Sequence, residues 1–376
     1  MKTRVANSAE PHPALEQIDS LWIAAFRRKV KNWFAGNARA LPWRGTRDAY
    51  RIWVSEIMLQ QTQVATVIPY YNDFLKKYPS VESLAAADQS QVLRSWEGLG
   101  YYRRARQLHA AAKQIVADHE GKFPAEFAHV LDLPGIGRYT AGAILSFAHD
   151  QRLPILEANT TRLFARCLAL QDSVDERTSQ NALWAFAEMI LPRRQCGDFN
   201  QALMELGSEV CTPQQPNCSA CPLSNLCLTR IAGLQNQIPV KKAKRSFRRI
   251  FESVIVVSRQ DRLLMRECGE NEWWTGMWDF PRYRVPRAAT GELKKLCREQ
   301  TGLAIELGEL LATIKHTVTH HNIELDCYLA KSVQGRLKTL NGKDSPATQL
   351  RWVRKRDLAD YPLSVTARKV TRLLDK

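Results

Sequence analysis

A glutamate lies inside one of the most apolar stretches of this chain. Residues 50–64 read YRIWVSEIMLQQTQV, and apolar side chains flank Glu56 on both sides. A helix that is apolar over most of its circumference is buried, and a buried carboxyl group either pairs with a cation or keeps its proton through a raised pKa. We therefore expect Glu56 either to form an ion pair with Arg44 or Arg51 or to hold its proton near neutral pH.

A glycine-rich turn could bind an anion. Residues 133–137, Leu-Pro-Gly-Ile-Gly, directly precede a helix-like run over 139–148. Gly135 and Gly137 allow a tight turn with exposed N–H groups, and the helix adds its own free N–H groups and positive dipole end. Glu157 follows near the start of another helical run, where the dipole favours a carboxylate. The pattern predicts a phosphate-binding turn beside a carboxylate, although an ordinary loop and a helix-capping glutamate remain open.

Four cysteines have the spacing of a metal centre. Cys211, Cys218, Cys221 and Cys227 follow the pattern C-x6-C-x2-C-x5-C. Four thiolates at this spacing can close around a 4Fe–4S cluster or a zinc ion. Zinc sites usually have two C-x2-C pairs, whereas this pattern has one, so the spacing favours the cluster.

Size and charge limit the classes of protein to which the chain can belong. Its 376 residues favour two domains, and 45% apolar residues are enough for a folded core. The net charge of +16 favours a polyanionic partner. We find no run of membrane-spanning length and no signal peptide, and nine cysteines are an odd number for a disulfide scaffold. We expect a soluble, cytoplasmic protein that works as a monomer without a membrane.

Two kinds of secondary structure follow one another along the chain. Apolar spacing predicts helices over 15–34, 50–64, 103–120, 139–148, 163–170, 182–191 and 199–210. Strands are predicted over 251–258, 262–266, 313–320, 323–329 and 350–353, with a hairpin turn at 321–322 and helices over 292–300 and 365–374. The change of pattern indicates a helical domain followed by an α+β domain.

The motifs together resemble a known family. LPWR at 41–44, SEIMLQQT at 55–62, GLGYY at 98–102, LPGIG at 133–137 and the four cysteines occur in this order. This set resembles the MutY-type adenine DNA glycosylases of the helix-hairpin-helix superfamily, which remove adenine mispaired with 8-oxoguanine or guanine from double-stranded DNA. The resemblance is strong over about 15–230 and weaker beyond.

The resemblance implies roles for individual residues. It makes Glu56 the acid that protonates adenine and Glu157 the carboxylate that faces the sugar, and it gives the cysteines one 4Fe–4S cluster. The catalytic set that it implies is Glu56, Glu157, Tyr139 and Asn159, with Gly135 and Gly137 binding a DNA phosphate. The substrate contacts that it implies are Leu41, Trp43, Arg44 and Gln201 for adenine and Gln61, Thr62, Leu99, Tyr101, Thr319 and His320 for 8-oxoguanine and the wedge.

One position separates two chemistries within the superfamily. Relatives similar to endonuclease III have a lysine at the position of Tyr139, and that amine forms a Schiff base and cuts the strand. The tyrosine implies a monofunctional glycosylase that leaves an abasic site.

The family usually has Asp-Gly-Asn where this chain has Glu157-Ala158-Asn159. We expect the helix N-terminus to keep Glu157 ionised while Glu56 is protonated, with Tyr139 and Asn159 as hydrogen-bonding neighbours of Glu157.

The resemblance also suggests domain boundaries. It places the helix-hairpin-helix glycosylase domain with its iron–sulfur cluster at 14–231, a basic linker at 232–250 and a Nudix-like lesion-recognition domain at 251–376. The linker carries Lys241, Lys242, Lys244, Arg245, Arg248 and Arg249, as a solvated tether or as a DNA contact. Two other functions stay open: an endonuclease III-like glycosylase/lyase on oxidised pyrimidines, and a lesion-binding module without activity.

Overall fold

The computed structural model describes residues 12–240, 246–270, 272–285, 287, 289–338 and 349–374. Short 3-10 helices span Pro13–Leu15 and Lys355–Asp360. The α-helices, in chain order, are α1 Ser20–Asn37, α2 Ala49–Leu59, α3 Val64–Lys77, α4 Val81–Ala86, α5 Gln89–Ser95, α6 Arg103–Asp118, α7 Phe127–Leu131, α8 Arg138–His149, α9 Ala158–Cys167, α10 Arg177–Ile190, α11 Cys196–Glu209, α12 Leu228–Ile231, α13 Thr290–Thr301 and α14 Val365–Leu373.

All the named strands lie after residue 247. They are β1 Arg248–Val256, β2 Ser258–Arg259, β3 Arg262–Glu267, β4 Trp278–Asp279, β5 Arg282–Tyr283, β6 Leu303–Val318, β7 His321–Gly335 and β8 Leu350–Arg354. One sheet has the order β5-β1-β7-β6, with β1 and β7 parallel. The other has the order β2-β3-β4, with β8 paired to β3. Helices and strands are mixed here as the sequence predicts.

The described residues divide into two compact units. The first takes residues 12–82 and 111–240, and the second takes 83–110 and 246–374. The core of the first unit forms around Phe26, Phe164, Phe186 and Phe199, all fully buried. Residues 83–110 fall inside the expected first domain but group with the second unit.

Several helix boundaries in the first unit differ from the prediction: α9, α10 and α11 each begin three to five residues earlier than expected, and two other differences have a local cause. The first helix begins at Ser20 rather than at residue 15, because the Asp19 side chain accepts a hydrogen bond from Trp22 N at 2.7 Å and caps it. The expected helix over 50–64 ends at Leu59, and Gln61 then takes a left-handed conformation with φ 56°. A chain in this conformation cannot continue the helix, so α2 ends before Gln61 and Thr62.

The second unit packs two apolar cores around its sheets, one including Phe280 and Leu325 and the other Ile255 and Leu303. Its long hairpin closes at the Val318–His321 pair, so the turn is Thr319-His320. The predicted turn at 321–322 is therefore wrong by two residues.

The expected linker is shorter in the structure than in the prediction. β1 begins at Arg248, which pairs with His321, so Arg248 and Arg249 belong to a strand. The lysines at 241, 242 and 244 and the arginine at 245 lie outside the described residues.

Candidate active site

Glu56 lies in α2, a helix in which nearly every side chain is buried, and is itself 4% exposed. Its Oε2 accepts a hydrogen bond of 2.6 Å from the Tyr139 hydroxyl of α8. Burial, helped by the negative charge of Glu157, raises the pKa of Glu56 to about 7 despite the lowering effect of this hydrogen bond. Glu56 is therefore a proton-holding acid near neutral pH.

The two arginines expected as ion-pair partners of Glu56 are paired elsewhere. Arg44 Nη2 lies 2.6 Å from Glu205 Oε2, and Arg51 Nε lies 3.6 Å from Asp48 Oδ2. The alternative in which Glu56 forms an ion pair with one of these arginines is wrong, because Arg44 pairs with Glu205 and Arg51 pairs with Asp48.

Glu205 is a buried carboxylate that the sequence reasoning missed. Its side chain is 1% exposed and is bonded by the guanidinium groups of Arg39 and Arg44. Burial alone would raise the pKa of Glu205, but the hydrogen bonds from the two arginines outweigh it, and the pKa is lowered. Arg44 Nε also donates to Gln201 Oε1 at 3.3 Å. Glu205 lies four residues after Gln201 on α11, and this spacing puts both on one helix face, which is the signal that could have identified it.

Glu157 is the N-cap of α9. Its carboxylate accepts from the backbone N–H groups of Asn159 and Thr160, each at 2.8 Å, and the Thr160 hydroxyl accepts from Glu157 N at 2.8 Å. This reciprocal pair is a capping box. The helix-capping alternative is thus present in the structure, and the same carboxylate also faces the cavity described below.

The electrostatics of Glu157 differ from the expectation. Burial raises its pKa, although the amides of Asn159 and Thr160 and the charge of Arg162 act in the opposite direction. The helix N-terminus therefore moderates the cost of burial rather than reversing it. Asn159 Nδ2 does donate to Glu157 at 3.1 Å. Tyr139 is not the expected hydrogen-bonding neighbour of Glu157, because its hydroxyl donates to Glu56.

A cavity of about 430 Å³ brings these groups together. Its wall also includes Glu205, the carboxylate held by Arg39 and Arg44, and Ser208, whose hydroxyl accepts a hydrogen bond from Arg39 Nη2 at 3.3 Å. The predicted site residues that line it are Leu41, Trp43, Arg44, Glu56, Gln61, Thr62, Tyr139, Glu157, Asn159 and Gln201. Lining residues that the prediction lacked include Arg39, Met204, Glu205 and Ser208. This volume is within the range of small-molecule sites.

The glycine turn lies between α7 and α8. Gly135 has φ 81°, a conformation that strongly favours glycine, and Gly137 is the N-cap of α8. Arg138, the first residue of α8, places its guanidinium 3.8 Å from the centre of the Trp184 ring. The turn has the helix-hairpin-helix form, in which free N–H groups at a helix start can meet an anion.

Comparison with known proteins gives the family. Residues 54–189 match the model of the HhH-GPD superfamily base excision DNA repair proteins, and residues 253–373 match the NUDIX domain. The adenine DNA glycosylase of Buchnera aphidicola subsp. Schizaphis graminum is 36% identical over 274 residues, which are 73% of this chain and 79% of that relative. The chain belongs to the adenine DNA glycosylase family. It is an enzyme of base-excision DNA repair, as the resemblance implied.

Further relatives of this glycosylase agree. The human adenine DNA glycosylase is 43% identical over 226 residues, 57% of this chain and 41% of that protein. A thermostable thymine-DNA glycosylase superposes with a TM-score of 0.51 and 29% identity, covering 56% of this chain and 98% of that one. A trapped endonuclease III–DNA covalent intermediate has a TM-score of 0.50 and 18% identity, covering 58% and 99%, and shows the shared fold.

The four cysteines of the glycosylase line one cavity of about 30 Å³ in the first unit. Cys167 lines it as a fifth thiol, and Arg166 Nη1 lies 3.3 Å from Cys211 Sγ. Within the described residues, no three His, Cys, Asp or Glu side chains are arranged around a single ion. Cysteine thiolates are ligands of both zinc and iron–sulfur centres, so this donor set fits a thiolate-bound metal centre.

A chain of hydrogen bonds leads from the Glu157 carboxylate to these cysteines. Asn159 donates to Glu157, and Asn159 Oδ1 accepts from Arg162 Nη2 at 2.9 Å. Arg162 also donates to the carbonyl oxygens of Gly207 and Cys211, each at 2.6 Å. A Cβ at Gly207 would lie 2.9 Å from the Asn159 carbonyl oxygen, so only glycine lets α9 and α11 approach this closely. The cysteine region therefore helps to fix the carboxylate of the enzyme.

The remaining predicted contacts of the glycosylase lie in the second unit. Tyr101 is 50% exposed with φ 48°, whereas Leu99 is buried at 6%. Thr319 is exposed at the hairpin tip with φ 52°, and its hydroxyl donates to Val318 O. The centre of the His320 ring lies 4.3 Å from that of the His321 ring. In this structure Tyr101, rather than Leu99, presents its side chain to solvent.

No α-helix in the described part of the chain combines the length and the apolar character needed to cross a bilayer.

Proposed function

We propose that this glycosylase hydrolyses the N-glycosidic bond of adenine opposite 8-oxoguanine or guanine in double-stranded DNA. The observation that carries the proposal is one cavity that holds a protonated carboxyl, Glu56, and a second carboxylate, Glu157. Adenine is a poor leaving group until a ring nitrogen takes a proton, and a base must leave the helix stack to reach such a cavity.

The chemistry follows from the positions of the two groups. Glu56 gives its proton to an adenine ring nitrogen, and the base leaves with the electrons of the bond to the sugar. Positive charge then builds on the sugar, which the ionised Glu157 stabilises or captures as a carbon–oxygen bond. Water adds to the sugar carbon and its proton returns to the carboxylate pair, which leaves an abasic site and free adenine.

The cavity supports hydrolysis without strand cleavage. The residue at the hairpin position is Tyr139, whose pKa is raised well above its ordinary value by burial and by the nearby carboxylates. A neutral phenol cannot form a Schiff base with the sugar. Among the described residues that line the cavity there is no lysine. These features favour a monofunctional glycosylase over the endonuclease III-like alternative.

Binding of adenine in the cavity needs polar partners with fixed positions. Arg44 and Gln201 are bonded to each other, and Arg44 is anchored by Glu205. Leu41 and Trp43 supply apolar wall, and the Trp43 ring meets Tyr71 edge-on at 5.3 Å. A flat aromatic base fits between apolar walls with a polar edge of this kind.

We assign recognition of 8-oxoguanine to the residues that the resemblance implies for it. Gln61 and Thr62 lie at the break after α2, and Tyr101 and Thr319 are exposed in loops of the second unit. Leu99 and His320 complete the set that the resemblance implies. In this proposal residues 14–231 carry the chemistry and the Nudix-like residues 251–376 read the lesion.

We propose that Cys211, Cys218, Cys221 and Cys227 hold one 4Fe–4S cluster. Bound to the four thiolates, the cluster would cross-link the segment that follows α11. The Arg166 guanidinium beside the Cys211 sulfur would offset part of its negative charge. The proposed role is structural, because the same segment anchors Arg162 through the Cys211 carbonyl.

Gly135 and Gly137 are proposed to bind a DNA phosphate through backbone N–H groups. The acid, the second carboxylate and the turn all come from one chain, which supports a monomer. Because DNA is the substrate, we propose that the enzyme associates with DNA, in a cytoplasmic setting.

One assay separates the proposal from its alternatives. The full chain is incubated with duplexes that carry adenine opposite 8-oxoguanine, adenine opposite guanine, or thymine glycol, with and without alkali. We expect cleavage of the adenine strand only after alkali. Cleavage without alkali, or of the thymine glycol strand, would support a glycosylase/lyase, and binding without cleavage would indicate a module without activity.

A further inference from the structure

The loop that carries Leu99 and Tyr101 has an unusual backbone. It joins α5 to α6, and Gly98, Gly100 and Tyr101 have φ values of 105°, 71° and 48°. Positive φ is unfavourable for a tyrosine and persists only where the surrounding structure fixes it. The contacts that fix this loop therefore control where Tyr101 points.

One end of the loop is held by its own neighbours. Arg104 Nη2 donates to the carbonyl oxygens of Leu99 at 3.2 Å and Gly100 at 3.1 Å. The Trp96 indole N–H donates to the same Gly100 oxygen at 3.2 Å. Side chains at the end of α5 and the start of α6 thus hydrogen-bond the backbone of the loop.

The beginning of the loop is held by a residue far along the chain. Arg368 of α14 donates from Nε to Glu97 Oε1 at 2.7 Å and from Nη2 to Glu97 Oε2 at 2.9 Å. Arg94 adds a bond of 3.1 Å to Oε2. The side chains of Glu97 and Arg368 are 13% and 20% exposed, so water screens this bidentate pair only in part.

Arg368 is itself held in place. Its Nη1 donates to Leu358 O and its Nη2 to Tyr361 O, each at 3.1 Å. The N-cap of α14 is Ser364, whose hydroxyl accepts a hydrogen bond from Ala367 N at 3.0 Å and donates to Asp279 Oδ2 at 3.1 Å. These bonds therefore connect Asp279, at the end of β4, to Glu97 in the loop through α14.

We propose that Arg368 is a positioning residue for lesion recognition. Its bidentate bond to Glu97 ties the C-terminal helix of the Nudix-like unit to the loop of Leu99 and Tyr101. Tyr101 is then presented in a fixed relation to the hairpin tip at Thr319, which belongs to the same unit. The inference rests on the proposed lesion-reading function of these residues, and the coupling of loop and helix can be tested without it.

The first experiment measures the loop in the full chain without DNA. Amide hydrogen exchange is compared among the parent, Arg368→Gln, Arg368→Lys and the control Arg372→Gln, an exposed arginine one turn later on α14. We expect exchange over residues 97–104 to be about tenfold faster in Arg368→Gln, with an intermediate effect for lysine, since lysine keeps the charge without the planar fork. Unchanged exchange in Arg368→Gln, or an equal change in Arg372→Gln, would overturn the coupling.

The second experiment measures lesion discrimination. Dissociation constants are compared for duplexes with a non-cleavable adenine analogue opposite 8-oxoguanine or guanine, using Glu97→Gln, Arg368→Gln and the double variant. We expect each single variant to lose about tenfold in discrimination and the double variant to lose no more, because both changes break the same Glu97–Arg368 pair. Losses that multiply in the double variant would contradict the inference.

The two experiments also separate the inference from the proposed function. A parent protein that does not distinguish 8-oxoguanine from guanine would refute the lesion-reading function, while the exchange result would still decide the coupling. A parent that discriminates and an Arg368→Gln variant that discriminates equally well would refute the inference alone. Thermal unfolding of each variant excludes global loss of structure as the cause.

Discussion

The Tyr139 hydroxyl lies 2.6 Å from Oε2 of Glu56, and the two side chains come from α8 and α2. The phenol stays neutral because burial raises its pKa well above the ordinary value. It therefore orients the carboxyl group without adding a charge. Since the hydrogen bond favours the ionised form of Glu56, Tyr139 also keeps the pKa of Glu56 from rising further.

Glu56→Gln should abolish adenine excision and preserve mispair binding. The amide keeps the shape of the side chain but cannot donate an acidic proton, and general acid catalysis contributes on the order of a hundred- to ten-thousand-fold. Single-turnover excision and equilibrium binding to the same duplex measure the two effects. Near-parent excision by the glutamine variant would remove Glu56 from the chemistry.

Excision should depend on the protonation of Glu56. Because its pKa is raised to about 7, the proton is present below that value and lost above it, so the single-turnover rate should fall as pH rises through about 7. By the same linkage, the contribution of Glu56 to stability is present below its ordinary pKa of 4.5 and lost as pH rises through about 7.

Tyr139→Phe is the test of this assignment. Removing the hydrogen bond should raise the pKa of Glu56 and move the alkaline fall of the rate to higher pH. A pH profile that is the same in the parent and the phenylalanine variant would assign the fall to another group.

Glu157→Gln should abolish excision, whereas Glu157→Asp should retain it. A carboxylate is needed to stabilise positive charge on the sugar, and aspartate is also a good N-cap for α9. Glu188→Gln is the matched control, since Glu188 is an exposed glutamate outside the cavity. Duplex binding and the visible absorbance of the proposed iron–sulfur cluster should remain in all three variants. Excision by Glu157→Gln at the parent rate would leave Glu157 with only its capping role.

Glu205→Ala should destabilise the enzyme by about 3–5 kcal/mol, because it leaves Arg39 and Arg44 beside a buried site without their shared carboxylate. Denaturant unfolding measures the change in the free energy of unfolding. Glu209→Ala, which removes a carboxylate that is 46% exposed and also pairs with Arg39, should cost less than about 1 kcal/mol. Equal effects of the two changes would show that burial does not govern this network.

The purified protein should be brown, with broad visible absorbance from thiolate-bound iron. Cys221→Ser should remove the colour and lower the unfolding temperature. Cys297→Ser, at a buried thiol of the second unit, should keep the colour. A colourless parent that contains one zinc per chain would contradict the cluster.

Local sequence was enough for the longer helices and strands and for the identity of most of the chemical groups, although not for their bounds or for the short elements. Glu56 was recognisable as a buried acid because its neighbours within one helix are apolar, and the four cysteines were recognisable from spacing alone. The turn at Gly135 and the helix after it were predictable for the same reason, since glycine and the helix start act over a few residues.

The pairing of charges was decided only by the tertiary structure. Arg44 meets Glu205 across 161 positions and Arg368 meets Glu97 across 271. A sequence window shows a charge but not its partner, because an ion pair depends on the distance between two side chains and on the water excluded around them. The sequence determined which residues can act as acid, carboxylate and thiolate, and the packing of α2, α8, α9 and α11 decided which of them face one cavity.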